Sequence, residues 1–222
     1  MFPGLLANHQ HNCDHSMKDW GGSASTGAAV WNGANMAGWY MENVLGKEKM
    51  SGSTLLELGA GVGFTSLIAN ALGATEVVIT DGNTDVLKVA DFNIEMNAPE
   101  TKLPNLRTAQ LRWNTEDEKA LKSNKDGRPW DYIVAADVTY LKKNRVDLIT
   151  SISNLSGPNT ITMISMEPRN VGEVEDVIKI VESLGLSWRE EQLPIDKVKS
   201  QCNLMCARMF LLTKNPSLLS AK

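Results

Sequence analysis

The sequence predicts a doubly wound α/β domain: a mostly parallel seven-stranded sheet with the last strand antiparallel and helices on both faces. Three observations carry this. Short apolar runs alternate with amphipathic helical segments over most of the chain. The continuous apolar run in DYIVAADVTY, Asp131 to Tyr140, suits a strand covered on both sides. An apolar strand also runs directly into a turn with alternate glycines, LLELGAGVGF, Leu55 to Phe64.

Residues 1–28 are rich in Gly, Ser, Asn and His without a clear period, and read as an arm. Met36, Trp39, Tyr40 and Val44 fall at helical spacing, predicting a helix from about Asn32 to Leu45. SGSTLLEL is a turn and a first strand. Phe64, Leu67, Ile68, Ala71 and Leu72 form one helical face, stopped at Gly73. TEVVITD is a second strand ending at Asp81, followed by the helix DVLKVADFNIEMN. LRTAQLRW and DYIVAADVTY are the third and fourth strands. NRVDLITSISNL is a helix and TITMISM a fifth strand. Val174, Val177, Ile178, Val181 and Leu184 mark a further helix, stopped at Gly185. Two final strands, Leu186–Glu190 and Met205–Thr213, have no helix between them and are expected to pair antiparallel at one edge. The resulting division is an arm over 1–28, a domain over 29–214 and a tail over 215–222.

At 222 residues, 42% hydrophobic and 22% charged, the composition is that of a soluble globular chain with one sizeable core. The net charge of −4 and the lack of a long Lys/Arg run argue against a nucleic-acid surface. No stretch approaches the length of a membrane span, and the N-terminus lacks a secretory pattern. Three cysteines, Cys13, Cys202 and Cys206, fit a reducing compartment, so a cytoplasmic or nucleocytoplasmic location is expected. No obvious apolar stripe asks for a partner, and a monomer is expected.

In doubly wound sheets ligands sit beyond the carboxyl ends of strands. Those positions hold Gly59–Gly63, Asp81, Trp113 and Asp137–Tyr140. Asp81 can accept the ribose hydroxyls of an adenosine, which NAD and S-adenosylmethionine share. The turn separates them better. A dinucleotide site uses G-x-G-x-x-G over a pyrophosphate, whereas here Phe64 stands where the third glycine belongs. Glu57, ahead of the turn, disfavours an anion and suits the ammonium and sulfonium of S-adenosylmethionine. All three histidines lie in residues 9–15, so the domain has no histidine for triad or general-base chemistry. Methyl transfer needs alignment more than proton shuttling. The alternate spacing of His9, His11, Cys13 and His15 matches no standard zinc pattern and reads as a solvated arm, so no metal is expected.

LLELGAGVGF, VVITDGN and AADVTY, with TGAAVW upstream, resemble the class I seven-β-strand methyltransferases with their Rossmann-like sheet. More narrowly they resemble methyltransferase family 16, whose characterised members are mostly protein-lysine methyltransferases. The resemblance covers about Gly27 to Lys214. It implies that Gly59, Ala60, Gly61 and Gly63 form the cofactor turn and that Asp81 holds the ribose. It also implies that Trp31 and Trp113 border the cofactor and that Ala136 lines the site. Trp31 also reads as a core residue of its helix. Asp137 and Tyr140, in the D-x-x-Y sequence, would meet the acceptor amine, with Asp137 alternatively capping the following segment. Base-modifying amino methyltransferases carry D-P-P-Y or N-P-P-Y there; Val138 and Thr139 replace the prolines. The expected function is S-adenosylmethionine-dependent methylation of a lysine on a protein partner. A small molecule, a histidine, or a non-catalytic adaptor role are the alternatives.

Overall fold

The structure is a computed structural model and describes residues 27–101, 105–194 and 207–220. The sheet has seven strands: β1 (Thr54–Leu58), β2 (Glu76–Asp81), β3 (Leu106–Gln110), β4 (Tyr132–Ala136), β5 (Ile161–Met166), β6 (Ser187–Glu190) and β7 (Arg208–Thr213). Their order is β3-β2-β1-β4-β5-β7-β6. Neighbours from β3 to β5 pair in parallel, and β7 runs antiparallel to both β5 and β6. This is the predicted sheet. The order reverses between β1 and β4, so a crevice opens beyond their carboxyl ends.

Both faces are covered, and the period-two rule sorts the strand residues between them. Leu55, Val77, Ile79, Val134 and Met163 enter one cluster with Trp39, Tyr40, Leu67 and Ala90. Those partners come from α1 (Asn32–Tyr40), α3 (Phe64–Ala71) and α4 (Thr84–Thr101). Leu56, Leu58, Val78, Ile133 and Ile164 enter the other, with Leu148, Ile152, Val177 and Val181 from α5 (Arg145–Leu155) and α6 (Glu173–Ser183). A π-helical turn (Met41–Leu45) joins α1 to α2 (Gly46–Met50). No helix among the described residues is long and apolar enough to cross a membrane.

Two strands are shorter than the segments predicted for them. β3 stops at Gln110, and Arg112 turns outward to pair with Asp117. β4 stops at Ala136 because Asp137 adopts φ 56°, a left-handed conformation that cannot continue a ladder. The apolar Val138 behind it fills the core beneath the loop rather than extending the strand. Of the predicted arm, residues 1–26 lie outside the described residues, as do Cys202, Cys206 and the metal-pattern residues His9, His11, Cys13 and His15.

Candidate functional site

A cleft of about 750 Å³ lies beyond the carboxyl ends of β1, β2 and β4. Ten of the eleven sequence-predicted site residues line it: Trp31, Glu57, Gly59, Ala60, Gly61, Asp81, Trp113, Ala136, Asp137 and Tyr140. Gly63 does not. It starts α3 with φ 78° and faces inward, where an added Cβ would stand 2.8 Å from Ile79 Cδ1.

The glycine turn is built from three left-handed residues, Gly59, Gly61 and Gly63. At Gly61 a side chain is excluded twice, by its φ of 56° and by the Gly27 carbonyl oxygen 2.8 Å from an added Cβ. Asp81 braces the turn from β2. Its Oδ2 accepts from Gly61 N–H at 3.2 Å and its Oδ1 from Asn83 N–H at 2.9 Å. A carboxylate has about four acceptor directions, so Asp81 keeps capacity for hydroxyls in the cleft.

Glu57 is buried at 2% exposure and turned toward α3, where its Oε2 accepts from Ser66 N–H and Ser66 Oγ–H. It thus caps the first turn of that helix while forming part of the cleft floor. Burial raises its pKa to about 7, outweighing the Ser66 hydrogen bonds that pull it down. An acid raised from 4.5 to about 7 by folding stabilises the fold most below the lower value, and that contribution is lost as pH rises through the higher one. Glu57→Gln is neutral throughout. Its melting temperature is expected to match the wild type near pH ~5 and to exceed it near pH ~8. Thermal melts at both pH values check this, and a constant offset between the two proteins would show that Glu57 does not titrate in that window.

Trp113 leaves β3 to form one wall, its ring 3.0 Å from where a Gly59 Cβ would stand. Its position is set by the next residue. Asn114 takes φ 56°, and its N–H donates to Glu118 Oε1 and to Ser151 Oγ, which ties the segment to α5. Trp31 stands at the N-terminal end of α1, 41% exposed. It is a rim residue and not the helix core residue its spacing allowed.

Asp137 is almost wholly enclosed. Its Oδ2 accepts from Gly33 N–H at 2.7 Å, capping α1, and its Oδ1 accepts from Glu167 N–H at 2.9 Å, after β5. Gly33 has to be small here, since an added Cβ would lie 2.8 Å from Asp137 Cγ. Asp137 therefore does cap, but its partners are a preceding helix and the residue after β5 rather than the segment that follows it, because the crossovers bring those distant amides to the end of β4.

Sequence reasoning missed Arg169. Its guanidinium lies 5.1 Å from the Trp31 ring centroid, 5.9 Å from that of Tyr140 and 3.6 Å from Asp137 Oδ2. The strand-end rule that found the other residues, applied to β5, would have reached it. Beneath this group lies a buried network. Arg145 Nε donates to the Thr139 carbonyl, its Nη1 donates to Asp176, and Nη2 stands 3.4 Å from Glu173. Glu173 in turn accepts from Thr139 Oγ–H and from Arg169 N–H. Burial alone would raise the Glu173 pKa, but these hydrogen bonds and the Arg145 charge leave it below the usual carboxylate value. Among the described residues no group of three or more His, Cys, Asp or Glu could hold a metal ion.

A family model described as lysine methyltransferase matches residues 12–183. Protein N-lysine methyltransferase METTL21A of Danio rerio is 29% identical over 167 residues, 74% of this chain and 69% of that protein. The METTL21A of Mus musculus is 32% identical over 142 residues, 64% and 61% of the two chains. Calmodulin-lysine N-methyltransferase of Arabidopsis thaliana is 30% identical over 158 residues, 68% of this chain and 50% of that one. The chain thus spans between half and about two thirds of the length of these relatives. Among solved structures, magnesium protoporphyrin IX methyltransferase from Synechocystis PCC 6803 with bound SAM superposes with a TM-score of 0.59 at 14% identity. That match covers 94% of this chain and 91% of the other. The ribosomal protein L11 methylase from Lactobacillus delbrueckii subsp. bulgaricus gives 0.54 at 15% identity, covering 82% and 77%. Both show a shared fold.

Proposed function

The chain belongs to the lysine methyltransferase family, and on that premise we propose that it transfers a methyl group from S-adenosylmethionine to a lysine of another protein. The observation that carries the proposal is the meeting of two residue sets in one cleft. The glycine turn, Asp81 and Trp113 come from the ends of β1, β2 and β3, and Ala136, Asp137 and Tyr140 from the end of β4, next to β1 in the sheet.

The residues fit an adenosine cofactor without phosphates. Asp81 has acceptor capacity for ribose hydroxyls and Trp113 offers a ring wall. When bound, S-adenosylmethionine supplies an activated methyl group on a sulfonium. The chain's task is then alignment and desolvation of the amine. Tyr140 walls the acceptor side and offers a ring face to an ammonium. Asp137, with both oxygens engaged by backbone amides, contributes a fixed negative charge and holds the Tyr140 loop against α1. Exposed apolar residues at the cleft, Trp31 and Leu141, favour a polypeptide acceptor over a small solute, since a docked chain would cover them.

Calorimetric titration with S-adenosylhomocysteine, with NAD as comparison, tests the cofactor; micromolar binding of the former alone is expected. Radiolabelled methyl transfer in a lysate then tests the acceptor, with label expected on protein lysine. Label confined to small molecules would overturn the protein-lysine reading, and binding of NAD alone would overturn methyl transfer. Asp81→Ala is expected to weaken S-adenosylhomocysteine binding about 100-fold, the loss of charge-assisted hydrogen bonds worth roughly 1.5–3 kcal/mol each. The same titration reads it, and unchanged affinity would remove Asp81 from the cofactor site.

A further inference from the structure

We propose that the Arg169 guanidinium is a displaceable gate: it sits between Trp31, Tyr140 and Asp137 in the place of the incoming amine, and an alkylammonium, the chemical class of a lysine side chain, binds there only when Arg169 swings away. The proposal deepens the lysine-methyltransferase reading, on which it rests for the identity of the incoming amine.

The three groups make a small cation receptor. Two aromatic rings present their faces within 6 Å of the guanidinium carbon, the distance at which ring quadrupoles attract a cation. The carboxylate of Asp137 closes the third side from a nearly fully buried position. That buried charge favours having a cation beside it. All three residues and Arg169 line the same cleft as the glycine turn and Asp81.

The hold on Arg169 is weak in the places where a gate has to give. Its contact with Asp137 is 3.6 Å, an ion pair longer than a hydrogen bond, and its side chain is 34% exposed. Its backbone is anchored separately, because Arg169 N–H donates to the buried Glu173 carboxylate at 3.1 Å. The side chain can therefore swing toward solvent by rotamer changes on the nanosecond scale while its loop stays in place. Two cations cannot share the site, since like charges at this separation repel. An entering ammonium therefore binds only the fraction of molecules whose Arg169 has swung away, and its apparent affinity falls in proportion to that fraction.

The test uses the full chain and n-butylammonium chloride as the probe, titrated at constant ionic strength by ligand-observed NMR. It is run with and without S-adenosylhomocysteine. Arg169→Ala and Arg169→Gln are each expected to bind the probe about tenfold more tightly than the wild type, the gain for a gate closed roughly nine times in ten. Adding Tyr140→Ala to Arg169→Gln is expected to abolish the gain. Lys142→Ala removes an 82% exposed cation paired with Asp176 and is expected to leave the affinity unchanged. Unchanged or weaker probe binding in both Arg169 variants would overturn the gate. An equal gain in Lys142→Ala would overturn it too, because the effect would then be general electrostatics. Failure of S-adenosylhomocysteine to bind would sink the methyl-transfer reading alone, since the cofactor-free titration still decides the gate.

Discussion

Asp137→Ala is expected to destabilise the whole domain and not merely to stop turnover. The carboxylate is the acceptor for two backbone amides that belong to different parts of the chain, Gly33 in α1 and Glu167 after β5. Alanine leaves both donors without it, the Gly33 amide buried and the Glu167 amide partly so. A stranded buried donor costs about 1–3 kcal/mol, so the melting temperature should fall by on the order of 10 °C at about 2–4 °C per kcal/mol for a chain of this size. Asp137→Asn sharpens the prediction. An amide side chain has one acceptor oxygen, and its NH2 group would face a second donor, so Asn is expected to recover less than half the loss. Asn also tolerates the left-handed backbone found here, which removes conformational strain as a confounding cause. Thermal melts of the three proteins decide the matter. If Asp137→Asn melts with the wild type and yet transfers no methyl group, Asp137 acts on the substrate alone and its clamp has no energetic weight.

Arg145→Ala is expected to be the most damaging single change outside the cleft. The Arg145 side chain is 3% exposed and faces Glu173, whose side chain is 1% exposed. Removing one partner of a buried ion pair leaves the other charge uncompensated and typically costs 3–5 kcal/mol, roughly 10 °C or more in melting temperature here. The Thr139 carbonyl loses its donor in the same step. Replacing both charges by near-isosteres, Arg145→Met with Glu173→Gln, is expected to restore much of the stability, because the penalty arises from the unpaired charge rather than from the missing attraction. A double mutant as unstable as the sum of its singles would show that the pair does not interact. Since the network holds Thr139 and Arg169, methyl-transfer activity is expected to fall more than S-adenosylhomocysteine affinity in the single variant.

Much of this was legible in the linear chain, because the signals involved are local. Period-two apolar runs set which strand residues face which layer, and the helical spacing of Val174, Val177 and Val181 placed α6 on the sheet. Left-handed backbone at alternate positions needs glycine, so the turn from Gly59 to Gly63 showed itself by composition. One tertiary detail was available but easily passed over. The continuous apolar run Met209–Leu212 against the polar Ser187–Glu190 already says which of the last two strands is interior. The structure places β7 inside and β6 at the edge accordingly.

The sequence by itself determined the layered α/β fold, the strand-end position of the site, and the residue types that line it. Each of these follows from backbone periodicity and from conformations that few side chains permit. Only the tertiary structure decided how the ionisable residues are used. Asp137 meets an amide 104 positions away, and Glu57 turns to a helix rather than to the open cleft. Arg169 arrives between two rings that the chain keeps far apart in sequence. A carboxylate or guanidinium is defined by the partner it finds, and those partners come together only when the sheet order and its crossovers bring distant strand ends to one crevice.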